Sequence, residues 1–436
     1  MTHRDRSGAI LTGASAQAAD KYQAALDAYY CYAGDPLTLL DEALADSPRF
    51  VMAHALKAYI TLIGSNAETA RVGLEAYEAA LTLPASERER AHLGAIGCLI
   101  AGQIKAAGRI LEDLTIAHPR DCLALQTGQL MDFLRGDSRM LRDRIGRAVP
   151  QWSPDMPDYH AVLGMWSFGL EETGHYSRAE AVGRQAIELQ PRNGWARHAV
   201  AHVLEMQDRR AEGVAWFRED LQAWTDESFF QVHNWWHLAL FHLGLGETEE
   251  ALRLYDGPIW GAQSDMALDL VDAAAMLWRL DLRGAAIGDR WDRLADVYEA
   301  KLDKGSYAFD DAHAMMAFVG AKRRDSAEAL LDLQAAAMTA PGDNAGFVRD
   351  VGLPLMEGLQ AFGEGRYDLA IERLRGVRHQ SARFGGSHAQ RDLIDLTLIE
   401  AASRGRRHDL ERALLAERAN ALPRVGGEGA ALSRAA

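Results

Sequence analysis

The chain has 436 residues, of which 48% are hydrophobic and 25% are charged, a composition typical of folded globular proteins and not of disordered ones. Acidic residues outnumber basic residues by 62 to 47. This excess argues against a nucleic-acid backbone or an anionic membrane surface as the main partner, because both attract basic patches. No apolar run reaches the roughly 18 residues of a membrane-spanning helix, so none is predicted.

The expected location is the cytoplasm. The N-terminal segment contains only a very short apolar stretch, whereas a secretory signal needs a longer one. The three cysteines, Cys31, Cys98 and Cys122, are far apart and odd in number. They indicate buried thiols in a reducing compartment better than a disulfide framework or a metal knuckle.

Helices are predicted throughout the chain. Apolar residues recur at intervals of three and four, and the alternation typical of strands is nearly absent. Proline is sparse and often falls between helical blocks, as at Pro119, Pro150, Pro191 and Pro341. The sequence therefore predicts an all-α fold.

Residues 160–193 match the 34-residue tetratricopeptide pattern at most of its signature positions. Gly174 and Tyr176 fall at the turn, Ala179 is the small residue that lets two helices approach, and Pro191 closes the unit. A helical hairpin of this kind completes its apolar face only against the next hairpin, so several copies must stack.

The same register recurs elsewhere. We predict one array over residues 1–420, a right-handed superhelical solenoid of tetratricopeptide-like helical hairpins, followed by a flexible tail at 421–436. The register breaks between about 255 and 305. The clearest repeats are predicted at 88–121, 160–193, 194–254, 310–340 and 351–380.

Tryptophan and histidine are concentrated in the middle of the chain. All ten tryptophans lie between Trp152 and Trp291, and seven of the fifteen histidines lie between His160 and His242. Either the central region has a bulkier core, since tryptophan is a normal core residue, or it builds a pocket.

Two neighbouring helices carry polar stripes that would face the groove of such an array. His198, His202 and Glu205 are spaced by four and three residues, so they lie on one helical face. They are the candidate metal ligands, although the pattern is not HExxH. General acid–base work, polar recognition and purely structural hydrogen bonding are the alternatives. The next helix adds a second candidate set, His233, Trp236 and His237.

Two further clusters are candidates for the same pocket. Asp311 and His313 open a later helix, although acids there could equally be helix N-caps. The segment after the glycine pair at 385–386 offers His388, Gln390, Arg391 and Asp392. It is either a loop that folds over the groove or a loop followed by a helix that Ser387 caps.

Cofactor motifs are missing from the sequence. There is no phosphate-binding glycine loop, no GxGxxG after a strand, no GxSxG and no CxxC pair. No nucleotide, flavin or nicotinamide site is therefore predicted. The cofactor is unknown, and a divalent metal ion is possible.

Five segments resemble the tetratricopeptide repeat protein 38 family, which includes StaR-like bacterial proteins. They read HAVAHVLEMQ, NWWHLALFHL, DLVDAAAMLWRLDL, DDAHAMMAF and FGGSHAQRDL. The resemblance implies a divergent tetratricopeptide-like array over most of the chain, and it implies no particular reaction. It implies that twelve polar and aromatic residues belong to family motifs, namely His198, His202, Glu205, His237, His313, His388, Gln390, Arg391, Asp392, Asp272, Trp278 and Arg279.

Two functions remain open from the sequence. The first is a central concave pocket of His, Glu, Asp, Arg and Trp side chains that binds a small polar ligand or ion, with or without catalysis. The second is a non-catalytic scaffold that recognises a peptide or a partner protein in its groove, as most arrays of this type do. Neither requires a nucleic acid or a membrane.

Overall fold

The computed structural model describes residues 3–64, 67–301 and 304–421. Within these residues most of the chain is helical and only two short strands occur, so the prediction of an all-α fold of tetratricopeptide-like helical hairpins is confirmed. The predicted tail lies outside the described residues from 422 onward. No helix in the described ranges combines the length and the apolar character that crossing a bilayer requires.

Two compact units make up the chain. The first contains residues 1–200 and 220–231, and the second contains residues 201–219 and 232–436. Both consist of antiparallel helix pairs. A single continuous array over 1–420 stays a prediction.

The first unit begins with two short strands, β1 (His3–Arg4) and β2 (Ile10–Leu11), which pair in an antiparallel hairpin. Ten helices follow in chain order, with a short 3₁₀ turn between the eighth and the ninth. They are α1 (Ala16–Cys31), α2 (Pro36–Asp46), α3 (Val51–Ile63), α4 (Ala67–Leu81), α5 (Glu87–Ile100), α6 (Ile104–Ala117), α7 (Cys122–Leu134), α8 (Ser138–Ala148), α9 (Tyr159–Glu171) and α10 (Tyr176–Leu189).

Helix α11 (Gly194–Met206) contributes its residues up to Val200 to the first unit and the remainder to the second. The short helix α13 (Leu221–Thr225) belongs to the first unit. The second unit contains α12 (Arg210–Arg218), α14 (Gln231–Gly244, from Val232 onward), α15 (Thr248–Leu254), α16 (Ala267–Leu282), α17 (Arg290–Ala300), α18 (Ala308–Gly320), α19 (Arg324–Ala337), α20 (Asn344–Phe347), α21 (Leu353–Gly363), α22 (Tyr367–Val377), α23 (His388–Arg404) and α24 (His408–Ala421).

The helical hairpin α9–α10 shows why the repeat signature produces this packing. Gly174 has a φ of +78°, in the left-handed region that glycine adopts without strain, and it reverses the chain between the two helices. Ala179 and Ala186 on α10 are fully buried, so their small side chains allow the helices to approach closely. The pair coincides with residues 160–193, and α5 with α6 coincides with 88–121 in the same way.

The break in the repeat register between 255 and 305 also has a structural counterpart. Helix α15 runs directly into a π-helical turn over Tyr255–Ile259, where Gly257 leaves helical geometry and Pro258 follows it. The next helix starts only at Ala267. Because proline removes a backbone donor and clashes with the preceding turn, the second helix of this hairpin is cut short.

The strand hairpin β1–β2 was not predicted. It is held against α5 by buried polar contacts, in which the Thr12 amide and hydroxyl donate to Glu89 at 2.9 and 2.6 Å. Arg88 lies 3.2 Å from Asp5 and donates to Asp121 at 2.6 Å. The hairpin is therefore fixed by tertiary contacts and not by strand-like sequence.

Candidate functional site

Histidines from two helices of the second unit lie side by side. His202 lies on α11, and His233 and His237 lie four residues apart on one face of α14. One ring nitrogen from each of the three lies within 4.8 Å of the others. The ring centroids of His202 and His237 are 4.6 Å apart, and those of His233 and His237 are 4.9 Å apart. We call these three residues the histidine cluster.

A carboxylate on α16 orients one member of the cluster. The Nδ1 atom of His233 lies 2.9 Å from both carboxylate oxygens of Asp272, which is fully buried. Burial raises the pKa of Asp272, and the neighbouring His233 opposes that shift. A carboxylate can only accept, so His233 Nδ1 carries a hydrogen and donates it to Asp272. In the neutral ring this leaves the lone pair on Nε2.

The remaining two imidazoles of the cluster are fully buried. Burial lowers the pKa of His202 and of His237 well below the ordinary value, and the nearby His233 lowers both further. Both rings are therefore neutral at neutral pH, since the charged imidazolium is disfavoured away from water. A neutral imidazole can accept a hydrogen bond or ligate a metal.

Arg279 lies beside the cluster in an unusual environment. Its guanidinium carbon lies 5.3 Å from the centroid of the Trp236 ring, and its Nη atoms donate to the carbonyls of Ala275 and Ala389 at 3.1 and 2.6 Å. It is 4% exposed and forms no ion pair with a carboxylate among the described residues. Burial lowers the pKa of Arg279 to about 10, because keeping the charged guanidinium away from water costs free energy.

Three polar atoms near Arg279 are buried without a hydrogen-bond partner in the part of the chain that the structure describes. They are Trp236 Nε1, Glu205 Oε2 and His313 Nε2. Burial raises the pKa of Glu205, with Arg210 opposing the shift. His313 Nδ1 lies 2.8 Å from the Phe309 carbonyl, so Nδ1 is the donor and Nε2 carries the lone pair. Burial lowers the pKa of His313 to about 4.

Two residues of the segment 388–392 lie near the histidine cluster, and two others make contacts that belong to the helix itself or to an ion pair. His388 is exposed, and both His388 and Arg391 lie near enough to His202 to lower its pKa. Gln390 instead forms a capping box with Ser387, whose hydroxyl accepts from the Gln390 amide at 3.3 Å. Asp392 pairs with Arg418, with Oδ2 and Nη2 2.9 Å apart.

Asp311 also has structural contacts. Its carboxylate accepts from the Gly305 amide at 3.0 Å and from Gln334 Nε2 at 2.8 Å, which ties the turn before α18 to α19. Asp311, Gln390 and Asp392 as pocket residues stay a prediction. The alternative in which Ser387 caps the following helix agrees with the capping box that Ser387 forms with Gln390.

His198 belongs to the first unit. Its ring packs among aromatic side chains, with centroids 4.9 Å from Trp195, 5.5 Å from Phe168 and 5.3 Å from Phe230. The predicted ligand Glu205 is not among the residues whose ligand atoms lie together in the histidine cluster.

Asp272 and Arg279 were absent from the predicted pocket, although both lay in a family-like segment. They are seven residues apart on α16, hence on one face, in a helix whose neighbouring residues are apolar. A charged pair at helical spacing inside an apolar stretch is the signal that could have identified them.

No family model matches the chain. Among solved structures, the chain is similar at 12% identity to a chain of the APC/C hetero-tetramer Cut9–Hcn1, with a TM-score of 0.39 and coverage of 87% of this chain and 76% of that one. A chain of Naa15/Naa10 bound to HypK-THB gives 12% identity, a TM-score of 0.27, and coverage of 92% and 67%. The tetratricopeptide domain of P58(IPK) gives 13% identity and a TM-score of 0.21, with coverage of 90% of this chain and 99% of that one. Likeness at this level carries no argument about function, and the fold assignment rests on the helical hairpins themselves.

Proposed function

We propose that the polar interior of the second unit binds a small anionic ligand. The observation that carries the proposal is Arg279, a buried guanidinium without a carboxylate partner among the described residues. Asp392 and Glu205 offset part of the cost of burial at a distance, and a ligand carboxylate or phosphate would supply a directly paired counter-charge. A planar guanidinium also suits these groups because it can donate two parallel hydrogen bonds.

The three buried polar atoms around Arg279 support a ligand with several polar groups. In folded proteins nearly all buried polar atoms have a hydrogen-bond partner. Trp236 Nε1 can only donate, His313 Nε2 can accept, and Glu205 can donate when it is protonated. A ligand that carries an anion and a hydroxyl or amine would satisfy both kinds of atom.

A thermal-unfolding titration of the metal-free full chain with inorganic phosphate and with citrate tests this proposal. We expect saturable stabilisation by at least one of the two anions. Binding should be at least tenfold weaker in Arg279→Lys, because lysine keeps the positive charge and lacks the paired N–H donors of the guanidinium. Arg324→Lys is the matched control, since Arg324 is exposed and pairs with Glu328. Equal titrations for wild type and Arg279→Lys would contradict the proposal.

A second candidate function, recognition of an acidic peptide by a scaffold, is favoured by a surface groove of about 570 Å³ on the first unit. Arg142, Arg147, Arg178 and His175 line it around Trp166, together with Asp143, which pairs with Arg142. The Arg178 guanidinium carbon lies 4.3 Å from the centroid of the Trp166 ring. Basic side chains around an aromatic platform suit an acidic segment. Fluorescence anisotropy with a labelled oligoglutamate peptide tests it. We expect binding that Trp166→Ala weakens at least tenfold.

Membership of the tetratricopeptide repeat protein 38 family and a cytoplasmic location are part of the same proposal. The family rests on the five sequence segments quoted above. The location is supported by three free cysteines, two of them buried, which suit a reducing compartment. A nucleic acid or a membrane as partner is not proposed, given the acidic balance of the chain.

A further inference from the structure

We propose that His202, His233 and His237 together bind one divalent transition-metal ion of the zinc class. Tetrahedral zinc with nitrogen ligands at about 2.0–2.1 Å places those nitrogens roughly 3.4 Å apart. The nitrogens of the cluster already lie within 4.8 Å of one another. Metal binding would therefore require these nitrogens to approach one another by up to about 1.4 Å. The site is independent of an anion at Arg279 and goes beyond that proposal.

Asp272 gives His233 the geometry of a metal ligand. Histidines that ligate metals usually donate their second ring N–H to a carboxylate, which fixes the tautomer and raises the basicity of the ligating nitrogen. The Asp272 carboxylate lies 2.9 Å from His233 Nδ1 through each of its oxygens. The ligating atom of His233 is therefore Nε2. Asp272 acts as a positioning residue, not as a metal ligand.

The cluster lies in the interior of the second unit. His202 and His237 are fully buried, and His233 is 5% exposed. The Asp272 carboxylate beside His233 supplies a negative charge that would offset part of the charge of a bound cation.

Nitrogen-only donors suit zinc, cobalt, nickel and copper, whereas calcium and magnesium prefer oxygen. The proposed cofactor is therefore a transition metal.

The test is metal titration of the purified full chain after removal of metals with a chelator. Zinc stoichiometry is measured by elemental analysis, and cobalt is followed by its visible absorption, which reports tetrahedral nitrogen coordination. We expect one ion per chain and a rise in the melting temperature on loading. Asp272→Asn is expected to weaken binding 10–100-fold, as second-layer substitutions do. His202→Gln and His237→Gln are expected to weaken it at least as much.

His242→Gln is the matched control, because His242 lies on the same helix, is equally buried and pairs with Glu247 outside the cluster. It should bind cobalt as wild type does. Unaltered cobalt binding in His202→Gln and His237→Gln would overturn the proposal. If a variant fails to fold, the wild-type titration decides, and wild type that takes up no cobalt or zinc overturns it equally.

Discussion

Arg144 holds both carboxylate oxygens of Asp132, with Nε 2.7 Å from Oδ2 and Nη2 3.0 Å from Oδ1. Both side chains are fully buried in the first unit, between α7 and α8. Gly128 makes room for the guanidinium, because a methyl group there would lie 2.8 Å from Arg144 Nη1. This ion pair is a buried, two-point contact and not a surface salt bridge.

Removing one partner of this pair should be strongly destabilising. Among the described residues, Arg144→Met leaves Asp132 with Arg135 as its one cationic partner, so we expect the free energy of unfolding to fall by about 3–5 kcal/mol. Urea denaturation followed by circular dichroism measures it. Arg139→Met, at an exposed pair with Asp143, should change stability by less than about 0.5 kcal/mol. Comparable losses in the two variants would contradict the burial argument.

Gly169 marks the closest approach of α9 to α8. A methyl group at this position would lie 2.4 Å from the Leu141 carbonyl oxygen and 2.6 Å from the Arg142 Cα. Because backbone atoms cannot give way as a flexible side chain can, we expect Gly169→Ala to cost about 1–3 kcal/mol. Gly94→Ala in α5 meets only a side-chain methyl at 3.8 Å and should be neutral or stabilising by up to about 1 kcal/mol. Thermal unfolding of the two variants provides the comparison.

His160 makes the first unit sensitive to acid. Asn193 Nδ2 donates to His160 Nδ1 at 3.0 Å, and burial lowers the pKa of His160 from 6.5 to about 4, with Asp27 opposing and Arg6 adding to the shift. Between pH 6.5 and 4 the unfolded chain binds a proton that the folded chain does not. The free energy of unfolding therefore decreases as the pH falls from 6.5 to 4, and His160 accounts for up to about 3 kcal/mol of that decrease.

The comparison that isolates this effect is His160→Asn, whose side-chain oxygen can replace Nδ1 as the acceptor. Urea denaturation at pH 6.5 and at pH 4 should show a smaller loss of stability for the variant than for wild type. His118→Asn, at an exposed position, should behave as wild type does. If His160→Asn and wild type lose stability in parallel, other groups account for the acid sensitivity.

Thr397 satisfies a buried tryptophan in the second unit. Trp278 Nε1 donates to Thr397 Oγ1 at 2.9 Å, which joins α16 to α23. Thr397→Val preserves the shape and leaves the indole N–H unpaired, so we expect a loss of about 1–3 kcal/mol. Adding Trp278→Phe, which removes the orphaned donor, should restore part of the loss. Thr339→Val, at an exposed helix end, is the control, and chemical denaturation of the four proteins tests the scheme.

The helical hairpins were predictable because they follow from local rules. Spacing at three and four residues, a glycine at the turn and small residues at the helix contact are all visible in the sequence. The strand hairpin was not predictable, since four paired residues leave no pattern and their position depends on the contact between Asp5 and Arg88.

In the candidate site, too, some features follow from local sequence spacing and others depend on tertiary contacts. The stripes on α11 and α14 were predictable from the spacing of His202, His233 and His237. Asp272 reaches His233 from a separate helix, and only the packing of α14 on α16 establishes that pairing. The helix capped by Ser387 was one of the two alternatives predicted for this segment, and the Gln three residues later is the sequence signature of the capping box.

The attachment of the N-terminal hairpin has a consequence for limited proteolysis and truncation. Asp5 and Thr12 cover Arg88 and Glu89, and the Val51 amide donates to the Thr12 carbonyl. A chain shortened past Thr12 would leave Glu89 without these donors and open the Arg88–Asp121 pair to water. A protease that removes this segment would therefore loosen α5 and the helices packed on it, far from the cleaved bond.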